Sequence, residues 1–287
     1  MRTGRTECAT LSHSRWVVPI RPPVGQSGAV TVEELTRRPV IRRVLGIEVL
    51  LVLGLSLGRS AVYALVEIIA RVTATVPLSK QTATLNATQS ARPYLDLTYQ
   101  LFGIFFALLP VLLAVHLLAR DPGDPARTLG VDLRRPGPDL AWGAGLAALI
   151  GLPGLALFWA AAQLGINATV VPAGLRHLWW AVPVLILAAM QNAVLEEVIV
   201  VGYLVTRLRQ LQWRLGAVVA ASAVLRGSYH LYQGFGAFVG NAVMGVIFSL
   251  FFLRTRRVLP LIIAHTLLDV FAFVGYALLP RDLFNWL

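Results

Sequence analysis

Six ionisable side chains lie within apolar stretches in the second half of the chain: Glu196, Glu197, Arg226, His230, His265 and Asp269. A carboxylate near the middle of a bilayer-spanning helix costs roughly 2.5–3.5 kcal/mol on insertion scales. Such a group must face protein, water, a proton or a cation. A carboxylate and an imidazole converging on one point can share a water and remove its proton as it attacks a carbonyl. A second imidazole, held by an acid, can donate to the oxyanion that develops. That is the layout of a peptidase without a Ser or Cys nucleophile. The same Glu/His/His/Asp inventory could bind zinc, but no H-E-x-x-H string is present.

The spacing refines this reading. His265 and Asp269 are four residues apart, as are Arg226 and His230, so each pair shares a helix face. Glu196 and Glu197 are adjacent, about 100° apart around a helix, so one is expected to face the reacting centre and the other a structural partner. Counted at 1.5 Å per residue from the basic ends of their helices, Glu196, His265 and Asp269 fall at roughly 12–18 Å and His230 deeper, at roughly 24 Å. The segment TRLRQLQWR (206–214) lying along the membrane surface would remove that mismatch. A shared hydrolytic site requires Glu196, His230 and His265 to lie within about 10 Å of one another.

The elements that position these groups are apolar helices. The chain has 287 residues, 57% hydrophobic and only 14% charged. Soluble domains carry about 25% charged residues, so the composition indicates an all-α polytopic membrane protein. Apolar runs fall at about 44–70, 94–119, 139–164, 178–205, 215–232, 236–253 and 258–279, which predicts seven spans. The net charge of +11 points to no nucleic-acid partner, because the Arg residues cluster in the short segments between apolar runs. With the N-terminus inside, 18 Lys and Arg fall on the cytoplasmic side and 5 on the other, as the positive-inside rule expects. The expected location is the cell membrane, as a multi-pass protein. Arg outnumbers Lys 24 to 1, read as a composition bias of a GC-rich bacterium. The single Cys8 excludes an internal disulfide, and no cleavable signal peptide is read in residues 1–43.

Three regions are expected: a polar, Arg-rich and mobile segment at 1–43, two helices and a loop at 44–138, and a helical core at 139–287. Within the first, Thr31 and Glu34 form a capping-box pattern for a short surface helix. Gly143, Gly145, Gly151, Gly154, Gly240 and Gly245 let helices approach, and Pro110 and Pro153 kink theirs.

The order E-E-x(3)-R, then F-x(3)-H, then H-x(3)-N/D on separate membrane helices resembles the CAAX prenyl protease and bacteriocin-processing (CPBP) family of intramembrane glutamic endopeptidases. Here the motifs read EEVIV at 196–200 followed by Val201, RGSYH at 226–230, and HTLLD at 265–269. The resemblance covers roughly residues 139–279. It implies that Glu196 and His230 activate the water and that His265 and Asp269 form the oxyanion site. Two positions depart: Val201 stands where the motif has Arg, and Arg226 where it has Phe. Together they look like a swap, in which Arg226 neutralises Glu197 across the helix interface. The departures also suit a homologue that has lost catalysis.

The reading is therefore an endopeptidase cutting a peptide or membrane-anchored protein near the cytoplasmic leaflet, with no cofactor, or zinc if the site is metallic. Prenylated C-termini are the substrate in one branch of the family. The alternatives are a silent membrane scaffold and a proton-coupled transporter. The latter predicts repeat-related broken helices, and no repeat is evident. Asn192 shares a face with Glu196; it and Asn241 are expected to join helices. Glu48, Arg59, Glu67, Asp96 and His116 are scattered candidates in the first spans, with His116 expected at the membrane surface. Gly54-Leu-Ser56-Leu-Gly58 matches G-x-S-x-G but within an apolar helix, the wrong context for a nucleophile elbow. Asn86 and Asn167 head N-x-T sequons, relevant only in a host that glycosylates.

Overall fold

The computed structural model describes residues 39–176 and 178–278. The Thr31/Glu34 pattern, Cys8 and most of the segment 1–43 lie outside the described residues. Residues 39–43, the end of that segment, form the first turn of a helix.

The chain is mostly helical. In order it forms α1 (Pro39–Gly54), α2 (Leu57–Val72), α3 (Pro93–Ala107), α4 (Leu109–Leu118), α5 (Pro125–Leu129), α6 (Pro136–Gln163), α7 (Ala181–Glu196), a π-helical stretch (Glu197–Tyr203), α8 (Leu204–Gln210), α9 (Leu215–Tyr229), α10 (Phe235–Thr255) and α11 (Leu259–Leu278). Two short strands, β1 (Thr82–Thr84) and β2 (Thr169–Val171), pair in parallel with Thr82 opposite Thr169 and tie two loops together.

Among the described residues, five helical stretches are long and apolar enough to cross a membrane: Pro93–Leu118, Pro136–Gln163, Ala181–Gln210, Phe235–Thr255 and Leu259–Leu278. The first expected span is instead two helices, α1 and α2, bent by 56°. The bend falls at Leu55–Ser56, so the Gly54–Gly58 string marks a helix break and not a helix interior. There the Ser56 hydroxyl donates to Val52 O at 2.6 Å, a back-bond of the kind that accompanies helix bending. The second span is interrupted as well. Pro110 has no N–H, and α4 starts just before it. The fifth is short, 15 residues. Thr206–Gln210 continue the helix from α7, so TRLRQLQWR does not lie along the surface; the turn is confined to Leu211–Arg214, with Gln212 at φ 64°.

Ala181–Gln210 is the central helix. Its span is far more buried than the others, and Ile199, Val200, Val201 and Tyr203 are fully enclosed. Close approach around it rests on small residues at particular crossings. A Cβ on Gly245 would meet Ala223 Cα at 2.8 Å, and one on Gly143 would meet Ile263 at 2.5 Å. Gly145 and Gly154, by contrast, face open space. Asn241 donates back to Ala237 O of its own helix rather than to a neighbouring one. Asn167 is buried and accepts from Gly236 N at 2.9 Å, which withdraws it as a glycan acceptor.

The ends that carry most of the Arg are stapled by ion clusters. Arg207 is almost fully buried and bonds Glu48 at 2.8 Å, Asp121 at 2.5 Å and Leu117 O at 2.9 Å. Glu48 also accepts from Tyr203 Oη at 2.9 Å. This one guanidinium joins α1, the end of α4 and α8. Arg257 grips Asp139 through two bonds of 2.6 and 2.7 Å and reaches Asp132 at 3.2 Å.

Candidate active site

The site is built where the central helix changes its winding. Val198 to Val201 are four β-branched residues in succession, a run that weakens α preference, and the helix widens to π geometry from Glu197. π segments leave main-chain carbonyls without their ordinary partners. Within this segment Val200 O accepts from Ser222 Oγ at 3.0 Å, and Ser222 accepts from Ser249 Oγ at 2.9 Å. The π segment, α9 and α10 are thereby held in register, and α9 carries Arg226, Tyr229 and its cap His230 against the two glutamates.

Glu197 is fully buried. Its Oε1 accepts from Arg226 Nη2 at 2.5 Å and lies 2.7 Å from His265 Nδ1. Arg226, also fully buried, has its guanidinium 5.3 Å above the Phe248 ring. The cation that the swap called for is therefore in contact with Glu197. Glu196 Oε2 accepts from Tyr229 Oη at 2.8 Å. It lies 3.6 Å from Arg226 Nη1 and 3.7 Å from His230 Nε2. The division of the two carboxylates holds for their main partners, Glu196 with Tyr229 and His230 and Glu197 with Arg226 and His265, but the expectation that they cannot meet at one spot fails at Arg226. Both reach the same guanidinium, because each side chain has enough rotatable bonds to absorb the angle between neighbouring Cα positions and the planar fork offers two ends. The depth count for His230 also fails. It assumes helices parallel to a common axis, whereas α9 begins at Leu215 and still delivers His230 to Glu196.

His265 is buried between two acids. Nδ1 faces Glu197, and Nε2 lies 3.6 Å from Asp269 one helical turn on. Asn192 on α7 neighbours Asp269 on α11. Gln233 stands 3.4 Å from His230 Nδ1. Four buried polar atoms here have no hydrogen-bond partner among the described residues: Glu197 Oε2, Arg226 Nε, Arg226 Nη1 and His230 Nε2. An unsatisfied buried polar group costs about 1–3 kcal/mol, so the cluster holds polar capacity that a water or a substrate amide can use.

All seven predicted site residues are thus assembled at one place. The scattered candidates are not. Glu67 pairs with Arg71, Asp96 caps the chain near Gln89, His116 is exposed at the last turn of α4, and Arg59 lies over Tyr63. The residue that spacing reasoning passed over is Tyr229. It stands three positions after Arg226, on one face of α9 with it, and that spacing was the available signal.

A metal fits this site poorly. Ligand atoms of Glu196, Glu197 and His265 come within 4.8 Å of one another, the number of protein donors a catalytic zinc takes with water in its fourth position, so the objection lies in what already occupies those donors. Both His265 nitrogens are turned toward carboxylates and Arg226 lies against both glutamates, so a dication would have to displace a guanidinium already neutralising them.

Residues 178–271 match the family model described as type II CAAX prenyl endopeptidase, Rce1-like. The matched stretch, about a third of the chain, is narrower than residues 139–279 and contains all three motifs. No curated protein and no solved structure matches the chain.

Proposed function

We propose that the chain is an intramembrane endopeptidase that hydrolyses a peptide bond in a peptide or membrane-anchored protein near the cytoplasmic leaflet. The observation that carries this is the 3.7 Å separation of Glu196 Oε2 and His230 Nε2 within a buried cluster. One water at hydrogen-bonding distance, about 2.8 Å, can be held by both.

In this mechanism the Glu196–His230 pair takes one proton from the water as its oxygen attacks the substrate carbonyl; the tetrahedral intermediate then collapses, the C–N bond breaks, and the pair returns that proton to the leaving amine. Tyr229 donates to Glu196 Oε2, the oxygen that faces His230, and so fixes the carboxylate against the water site. His265 is held through Nδ1 by Glu197, and its Nε2–H, which lies 3.6 Å from Asp269 and is not hydrogen-bonded to it, donates to the oxyanion. Arg226 offsets the charge of the two glutamates, so that neither is left bare in the membrane interior. No metal enters the mechanism. The topology that goes with it is seven spans with a cytoplasmic N-terminus in a cell membrane, supported by the distribution of Lys and Arg. This reading counts the bent pair as one span and the 15-residue α9, shorter than the five long helices, as another.

One observation favours a second reading, a non-catalytic scaffold: Arg226 Nη1 lies 3.6 Å from Glu196 Oε2, which opposes its service as a base. Incubating the purified protein and its Glu196→Ala variant with a library of membrane-anchored peptides separates the two. Cleavage by the wild type alone supports the protease. Equal cleavage by both, or none by either, removes it.

A further inference from the structure

The two helix interruptions, at Leu55–Ser56 and Ala107–Leu109, face each other across a cavity of about 410 Å³ on the side of the bundle. Its walls include Leu55, Tyr63, Phe106 and Leu195, with Arg59 and Ser60 supplying polar groups. Leu55, Tyr63 and Phe106 are 65%, 66% and 59% exposed, so the cavity opens sideways, away from the packed core. In a chain with this many spans that side faces lipid tails.

Arg59 is exposed, and its one recorded interaction among the described residues is with the Tyr63 ring, 5.4 Å from the guanidinium. A cation within an apolar segment and without a carboxylate is costly unless an anion from outside meets it. Pro110, on the facing wall, lies eight residues before Leu118, about 12 Å along the helix at 1.5 Å per residue. Leu117 and Leu118 end beside Arg207, within the Arg-rich end of the molecule. An Arg stem can rise several ångströms toward a headgroup region from that depth. An occupant must therefore combine an anion, an apolar body and access from the lipid side.

We infer that this cavity binds one anionic phospholipid, with the phosphate at Arg59 and an acyl chain along Phe106 and Leu195. None of Glu196, Glu197, Arg226, His230, His265 and Asp269 lines this cavity, although Leu195 precedes Glu196, and the inference holds whether or not that cluster cleaves peptides.

The test is lipid retention. The full chain is reconstituted in bilayers of phosphatidylcholine with a minority of phosphatidylglycerol, extracted in mild detergent, and weighed by native mass spectrometry. Wild type is expected to retain phosphatidylglycerol over its bulk proportion by about fivefold, the factor matching roughly 1 kcal/mol per basic residue near an anionic surface. Arg59→Gln is expected to lose that enrichment and Arg59→Lys to keep most of it. Ala107→Trp, which fills the cavity and leaves the cation, is expected to lose the retained lipid. No enrichment in wild type, equal enrichment in Arg59→Gln, or displacement by acidic transmembrane peptides but not by added phosphatidylglycerol would overturn the proposal. Circular dichroism and size-exclusion profiles matching wild type establish that each variant is folded.

Discussion

Arg226 and Glu197, 29 residues apart and both fully buried, meet at 2.5 Å across the interface of α9 with the π segment. Breaking a buried pair from one side leaves an uncompensated charge, which costs about 3–5 kcal/mol, while removing both charges is far milder. Arg226→Leu is therefore expected to lower the melting temperature in detergent steeply. Glu197→Gln in the same chain should recover much of that loss. Additive losses in the double mutant would show that the two side chains do not act as a pair.

Tyr229 is a positioning residue for Glu196 in the proposed reaction. Tyr229→Phe removes one hydrogen bond to a carboxylate, worth about 1.5–3 kcal/mol, and leaves the ring packed beside His230 at 4.8 Å. Steady-state cleavage of a membrane-anchored peptide should show kcat reduced about tenfold or more, one decade per 1.36 kcal/mol, with KM little changed and an altered pH profile. A loss confined to thermal stability would make Tyr229 structural only.

Metal removal discriminates between the mechanistic variants. With Arg226 against both glutamates and both His265 nitrogens turned to acids, cleavage should persist after dialysis against a strong chelator. Inactivation by chelator with recovery on adding zinc would replace the metal-free mechanism with a metallopeptidase.

Outside the spans, the carboxyl of Asp132 is held below the usual carboxylate range, first by the Arg134 main-chain N–H and then by Arg257. A carboxylate with a depressed folded-state pKa adds stability above its unfolded pKa and loses it as pH falls through the folded value. Melting temperature should therefore drop more for wild type than for Asp132→Asn as pH is lowered from about 5 to about 3. Parallel curves for the two proteins would show that the Arg257 clamp rests on Asp139 alone.

Much of the site was legible in the one-dimensional pattern, for a definite reason. Charges inside apolar runs are costly enough to stand out without coordinates, and spacings of four along a helix place His265 with Asp269 directly. The proposed exchange of Val201 and Arg226 for the motif's Arg and Phe was likewise readable as a guanidinium moved to a facing helix. Such patterns report only what one helix does along its own axis. They could not reveal that a π-helical stretch and a pair of serines set the register of α9, nor that Glu196 and Glu197 would share one cation.

The same limit separates what the sequence determined from what the tertiary structure decided. Composition settled the helical, membrane-type class, because burying or solvating so little charge over so many apolar residues leaves few other options. Packing decided that Ser56 and Pro110 become breaks facing a common cavity, that Tyr229 meets Glu196, and that His265 takes Glu197 as its nearer acid. Each depends on distances between helices far apart in the chain. Those distances follow from close contacts such as Gly245 against Ala223, which no local periodicity encodes.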